Sequence, residues 1–470
     1  MIQIDDGWQE LNRATRWYSR ENYRKRPNNK QGPNGLPRLF GNGTVGCLVP
    51  DPIKFPDGMQ AFGAILKQRG FQFGLYTSGT NFACDAQSNF KALYASTQYA
   101  DLRKYDAICF RKWGVDLLKV DSCLPSSTSD SYNQGVMEFW RGALDNNVIL
   151  YNSRFGCMAK TKCLNTYTCP MQTQRGPNSV VRLYCTRNCD LARTGPDIKP
   201  KWASILGSLS TVFGRSKVSK PGFWSDPDYL LPHASLMHFV ERRSQFSLWC
   251  VVSAPLVISV ELTTMDNQTV AMLSNPMAIQ VNQKYEGDAG DLRVKTGKLW
   301  ELIKRFTLQT AVVVVNIGKS LNQFTPTAPA LMWRPTLAVY RTNAVICDYV
   351  NVWTNAKGTL TAASSFPITE RDCLFLVVSN CLTAGEIAQP TNKPSPPTNR
   401  LTNKPSTKTA STPAPTARPI SPTKRPTLLP TKKPNSASPT RKPATTPTKK
   451  NTLVPTKRTL SPTSKGTWPW

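Results

Sequence analysis

Through residue 282 the chain alternates short apolar runs, which fit strands, with longer stretches whose apolar positions recur at helical spacing. "IQI" (2–4) reads as a strand that runs straight into two acids, Asp5 and Asp6. "MQAFGAILKQRG" (59–70) has the spacing of a helix with a glycine stop, and "FQFGLY" (71–76) follows as a strand. "AICFRKWG" (107–114) leads into a strand over 115–121. A helix over 136–147 precedes a strand over 148–152. A helix over 201–213 precedes "GFWSDPD" (222–228), and a helix over 241–252 precedes the strand "PLVISV" (255–260). Strands alternating with helices predict a parallel sheet with helical crossovers.

Polar and acidic residues gather at the C-terminal ends of these strands, where a (β/α) barrel carries its chemistry. A doubly wound sheet is the alternative, but it has no need for acids on so many separate strand ends. Beyond residue 284 the pattern changes. "LWELIKRF" (299–306), "TAVVVVNI" (310–317), "LAVYRT" (337–342), "AVICDYVNVW" (344–353) and "DCLFLVV" (372–378) are β-rich and separated by turns. They predict a small antiparallel domain. The division expected is a catalytic domain over 1–282, an antiparallel domain over 283–384 and a tail over 385–470.

The net charge of +30 would fit a nucleic-acid binder if it were spread over the fold. It is not. Residues 391–470 hold 16 Lys or Arg, no Asp or Glu, and 17 of the 38 prolines. Pro-Thr followed by two basic residues recurs at 422–425, 430–433, 439–442, 447–450 and 455–458. Such a segment cannot bury a core and is expected to be disordered and solvated. An anionic cell-wall polysaccharide is the partner expected for it, and no nucleic acid is. No run is long and apolar enough to predict a membrane span. Thirteen cysteines lie between Cys47 and Cys381, with only two histidines, His233 and His238, so disulfides in an oxidising compartment fit better than zinc. An odd count leaves at least one thiol over. The sequons at Asn42 and Asn267 agree with a secreted or wall-associated protein. "MIQIDDGW" has no signal-peptide pattern, and the strand count falls short of the eight that close such a barrel. The coding start is therefore expected upstream.

The strand 115–121 ends in "LLKVDSC", with Lys119 and Asp121 two apart and so on one face. A cation beside that carboxylate would keep it ionised and nucleophilic, although an isolated K-x-D is also a common structural ion pair. "ARTGPDI" supplies Arg193 and Asp197, where a simple cap before the helix is the alternative. "WSDPDYL" supplies Asp226 and Asp228, where turn formation is the alternative. Carboxylates with Lys and Arg suit the hydroxyls of a sugar, and two acids suffice for glycoside hydrolysis.

"IDDGW", "PDPIKFPDGMQAF", "FGLYTSG", "KWGVDLLKVDSC", "RTGPDI", "WSDPDYL", "RSQFSLWCVVSAPLVIS" and "LSNPMAIQVNQ" come in the order and spacing of the melibiases. The chain thus resembles glycoside hydrolase family 27, α-galactosidases and α-N-acetylgalactosaminidases, over roughly residues 1–380. The resemblance implies a (β/α)8 TIM barrel, here without its first strand, then an antiparallel β-sandwich, and retaining hydrolysis of an α-galactoside with no cofactor. It implies Asp121 as nucleophile and Asp197 as acid/base. It implies Asp5, Asp6, Tyr76, Lys119, Arg193 and Asp228 as sugar-binding residues and Cys84–Cys123 as a disulfide beside the nucleophile. Two positions depart from the pattern. Arg154 stands where the family has a Glu that reads the sugar's 2-position, and Tyr229 where it has Met. Arg154 either favours an anionic substituent or reflects a local realignment around Cys157; Tyr229 is expected to reshape the pocket floor. A carbohydrate-binding protein without activity is the non-enzymatic alternative.

Overall fold

A computed structural model describes residues 1–9, 48, 50–51, 53–79, 102–121, 130–153, 183–320 and 322–388. The chain divides into two units, Met1–Asn392 and Lys393–Trp470, and every described residue lies in the first. Arg154, Cys84, Cys123, the Asn42 sequon and the tail repeats fall outside the described residues.

Among the described residues, six parallel strands pair in chain order: β1 (Ile2–Ile4), β2 (Phe73–Ser78), β3 (Leu117–Asp121), β4 (Ile149–Asn152), β5 (Leu191–Arg193) and β6 (Trp224–Asp226). Between them run α1 (Gly58–Gln68), α2 (Leu102–Trp113), α3 (Asp130–Ala143), α4 (Leu183–Asn188) and α5 (Trp202–Ser210). The period of two sorts the strand residues. Leu118 and Val120 of β3 turn to a core that also holds Phe110 of α2 and Val136, Met137 and Trp140 of α3. Lys119 and Asp121 take the opposite face. The start of β2 is held by Asp116, whose carboxylate accepts from the Phe73 amide at 2.8 Å.

After β6 the chain turns at Pro227 and at Asp228, whose φ of 89° is left-handed. Pairing resumes for one residue. Leu230 bridges Ile258 in parallel, donating to the Val257 carbonyl at 2.8 Å and accepting from the Ser259 amide at 3.0 Å. The strand expected over 255–260 is thus a single bridge, because the turn at 227–228 brings only Leu230 alongside it. α6 (Phe239–Val251), α7 (Asn267–Leu273) and α8 (Pro276–Gln283) complete this half.

The remainder is an antiparallel sheet ordered β12-β11-β14-β9-β8-β7, with a two-stranded ribbon, β10-β13. Its strands are β7 (Asp291–Thr296), β8 (Leu299–Arg305), β9 (Gln309–Asn316), β10 (Leu331–Trp333), β11 (Ala344–Asn351), β12 (Lys357–Thr361), β13 (Phe366–Ile368) and β14 (Cys373–Thr383). A short helix, α9 (Ala384–Ala388), follows β14. Both faces of the sheet are covered, which explains the unbroken apolar run in β9. Ala311, Val313 and Val315 pack with Phe246 and Trp249 of α6, while Val312 and Val314 pack with Trp333 and Ile368 of the ribbon. "LAVYRT" is not a strand. Leu337–Val339 forms a 3₁₀ turn, which lets Leu337 and Tyr340, three apart, reach the same core.

The two halves are bolted together at α6. Glu241 and Arg371, both buried, pair at 2.6 Å, and Arg243 clasps Asp372 with its closest contact at 2.6 Å. Gly290 (φ +85°) lets the β7 approach pass the end of α6; a Cβ there would stand 1.8 Å from the Val251 carbonyl oxygen. Cys347 and Cys381 form a disulfide with each other, and Cys109 and Cys185 each belong to a further disulfide. Cys189, Cys250 and Cys373 are free and buried, more thiols than the odd count alone required.

Candidate active site

Parallel register builds the site in two rows. Tyr76, Lys119 and Tyr151 are register partners on β2, β3 and β4. Two residues further along, Ser78 pairs with Asp121 and, on the neighbouring strands, Arg193 pairs with Asp226. Since side chains repeat every second residue, both rows face the same side.

Lys119 is buried, and its ammonium goes to Asp5 at 2.8 Å and to the Tyr229 hydroxyl at 2.9 Å. Its ion pair with Asp5, at the end of β1, joins the first and third strands of the sheet. Burial pushes the Asp5 carboxyl up, but Lys119 and the Tyr229 hydroxyl outweigh it and hold the group below its ordinary value. Asp6 caps this turn by accepting from the Gly7 amide at 2.8 Å. Tyr76 is buried beside the ammonium, and its carbonyl accepts from the Trp8 indole at 2.9 Å.

The second cluster centres on Arg193. Its guanidinium is buried, pairs with Asp228 at 2.7 Å and with Asp197 at 3.1 Å, and its Nε meets no partner among the described residues. Burial works against the charge, yet Tyr151, Asp228, Asp226 and Asp197 keep the guanidinium protonated. Asp197 is its opposite in setting, with a side chain 90% exposed. Asp228 also accepts from the Ile198 amide at 2.7 Å and the Tyr229 amide at 2.8 Å. Burial and the neighbouring Asp226 nevertheless outweigh Arg193 and raise the Asp228 carboxyl to about 6. Asp226 is deeper; burial raises it, and it accepts a short hydrogen bond from the Tyr151 hydroxyl. Asp121 ends β3 half-buried, its carbonyl accepting from the Gly79 amide at 2.6 Å.

Residues given no role from the sequence hold the constellation in place. Gln245 and Trp249 lie four apart on α6 and so share a face. Gln245 donates to the Tyr229 carbonyl at 3.0 Å, and Trp249 donates to the Asp228 carbonyl at 2.7 Å. Gln3, the polar centre of "IQI", donates to the Tyr229 hydroxyl at 3.0 Å. Tyr151 shares the row of Lys119, which strand alternation does reveal once the register is known. Among the described residues there is no cluster of side chains able to hold a metal, and no helix is long and apolar enough to cross a membrane.

Residues 42–284, more than half of the chain, match the model of the family described as alpha galactosidase A, and this span includes both Asp121 and Asp197. The chain belongs to the melibiases. Among curated melibiases it is 29% identical over 283 residues to the alpha-N-acetylgalactosaminidase of Mus musculus, covering 59% of this chain and 62% of that one. It is 28% identical over 255 residues to a probable alpha-galactosidase A of Aspergillus clavatus, covering 52% of this chain and 45% of that one. The chain therefore spans less than two thirds of the length of these relatives. Its fold is similar to that of alpha-galactosidase I from Mortierella vinacea, with a TM-score of 0.59 at 16% identity, over 81% of this chain and 87% of that one.

Proposed function

We propose that this melibiase is a retaining glycoside hydrolase that releases terminal α-linked galactose from oligosaccharides or glycoconjugates. The observation that carries the reading is the family match across residues 42–284, which holds both K-x-D-x-C at 119–123 and R-x-x-x-D at 193–197. Asp121 attacks the anomeric carbon as the bond to the aglycone oxygen breaks, and Asp197 gives that oxygen its proton. Asp197 then takes a proton from water, whose oxygen displaces the Asp121 ester and frees the sugar. The exposure of Asp197 suits a group that gives a proton to the leaving oxygen and takes one back from water in each turnover. Arg193 keeps it at the strand end, and the Asp5–Lys119 pair offers charged partners to the glycone hydroxyls.

Release of p-nitrophenol from p-nitrophenyl α-galactoside tests the reaction, and NMR of the first sugar formed tests its stereochemistry. Retention requires the α-anomer first and carboxyl groups about 5 Å apart; a β-anomer would exclude Asp121 as nucleophile. The second reading is an α-N-acetylgalactosaminidase, favoured by the name of the mouse relative. Arg154 is proposed to favour an anionic substituent, and a preference for plain over sulfated galactosides would remove that role. Secretion, with the basic tail held on anionic wall polysaccharide, is proposed on the disulfides and on the tail's composition. Salt-sensitive retention on such a polysaccharide, but not on DNA, is the expected behaviour.

A further inference from the structure

The sequon Asn267-Gln268-Thr269 lies on α7, which turns its two defining residues to different sides. Asn267 is exposed, and so are Val270, Ala271 and Ser274, which follow it at three, four and seven positions and share its face. Val270 leaves 47% of its surface to water. Thr269 is buried. Its hydroxyl donates to Asp266 Oδ2 at 2.9 Å and accepts from the Arg242 guanidinium of α6, and its amide donates to Asp266 Oδ1 at 2.7 Å. Arg242 is itself buried and pairs with Asp266 at 2.9 Å. The threonine hydroxyl is thus part of the joint that ties α7 to α6.

N-glycosylation needs both side chains at once, the asparagine as acceptor and the hydroxyl two residues on as the group the transferase grips. In an extended segment the two point to the same side. On a helix, residues two apart do not face each other, and here the hydroxyl is already spent inside the fold. We propose that Asn267 is a modification site, carrying an N-linked oligosaccharide that is attached before α7 forms, and that the burial of Thr269 then closes the sequon to further transfer. The donor is a lipid-pyrophosphate-linked oligosaccharide. Asn267 Nδ2 attacks the anomeric carbon of its first sugar. The C–N bond forms as the C–O bond to pyrophosphate breaks, the amide loses one proton, and the lipid pyrophosphate leaves with the electron pair. The finished glycan stands on the outer face of α7 and shields Val270. This inference does not depend on the hydrolase reading; it rests on export of the chain.

The test uses the full chain behind a cleavable leader, translated with microsomes, beside Asn267→Gln and Asn42→Gln variants. The chain protected from added protease is treated with peptide N-glycosidase in heavy-oxygen water, which converts a glycosylated asparagine to a labelled aspartate. Label at position 267, lost in Asn267→Gln and kept in Asn42→Gln, is the expected result. A protected native chain with no label there overturns the site. The order of events is tested on unglycosylated full chain, either folded or denatured with its thiols blocked, given solubilised transferase and the lipid-linked donor. Modification of Asn267 in the denatured chain alone is expected; equal modification of both overturns the closing of the sequon by Thr269.

Discussion

Each half of the molecule buries a lysine, and the two are handled differently. Lys119, on β3 of the parallel sheet, ends on a carboxylate and a phenol that are themselves reachable from the strand ends. Lys304, on β8 of the antiparallel sheet, is fully buried and donates to Ser253 at 2.7 Å, to the Val281 carbonyl at 2.6 Å and to the Asn282 carbonyl at 3.2 Å. It closes the C-terminal end of α8, where carbonyls lack helical partners. Burial lowers its ammonium to about 8, with the Asp288 carboxylate opposing this. The antiparallel half thus spends its buried charge on holding elements together. The parallel half gathers charge on one sheet face, at strand ends, where a neutral polyol can meet it.

The comparison breaks most sharply on activity. Asp121→Asn should lower kcat by more than about 10³-fold with the melting temperature within a degree or two of the native chain; retained turnover in a folded variant would move the nucleophile elsewhere. At the junction of the two halves, Glu241→Ala should cost about 3 kcal/mol of stability by leaving the Arg371 charge buried without its carboxylate. Chemical denaturation measures that loss, and kcat per folded molecule should not change. A smaller cost, about 2 kcal/mol, is expected for Lys304→Met, which leaves the Val281 and Asn282 carbonyls without their donor. The sign of its pH dependence is fixed by the lowered ammonium. Between about 8 and the usual 10.5 the unfolded chain binds more protons than the folded one, so this lysine favours folding increasingly as pH rises through that window. The stability difference between native and Lys304→Met should grow in the native chain's favour from pH 8 to 10.

The smallest effect is expected at Asp228. Its carboxyl is raised from 3.8 to about 6, so the folded chain holds its proton where the unfolded chain does not. That contribution to stability is complete below 3.8 and is lost as pH rises through about 6. Activity should run the other way, because only the ionised form completes the Arg193 pair. A limb near pH 6 in the native kcat/KM profile, absent from Asp228→Asn, is the outcome expected; an unchanged limb would assign it to another group.

Local pattern carried much of this. The helix read over 59–70 forms at Gly58–Gln68, that over 241–252 at Phe239–Val251, and the strand over 148–152 at Ile149–Asn152. Apolar spacing reports burial directly, so these elements were legible. "PLVISV" and "LAVYRT" were misread because an apolar run states only that it is buried, not whether a neighbour lies at ladder distance. β10, β12 and β13, three to five residues each, carried too few residues to show a period.

At the site, residue type and order were enough to single out Asp5, Asp6, Lys119, Asp121, Arg193, Asp197 and Asp228, since the chemistry of a carboxylate or a guanidinium belongs to the residue itself. Which of them touch was decided by tertiary structure alone. Lys119 meets Asp5, 114 positions away, and Tyr151 meets Asp226, 75 positions away. Tyr229, read as a change in the pocket floor, bonds Asp5, 224 positions away, and Lys119, 110 positions away. Those contacts depend on strand register and on the turn at Asp228, and both are set by many weak packing interactions summed over the sheet rather than by any local run of residues.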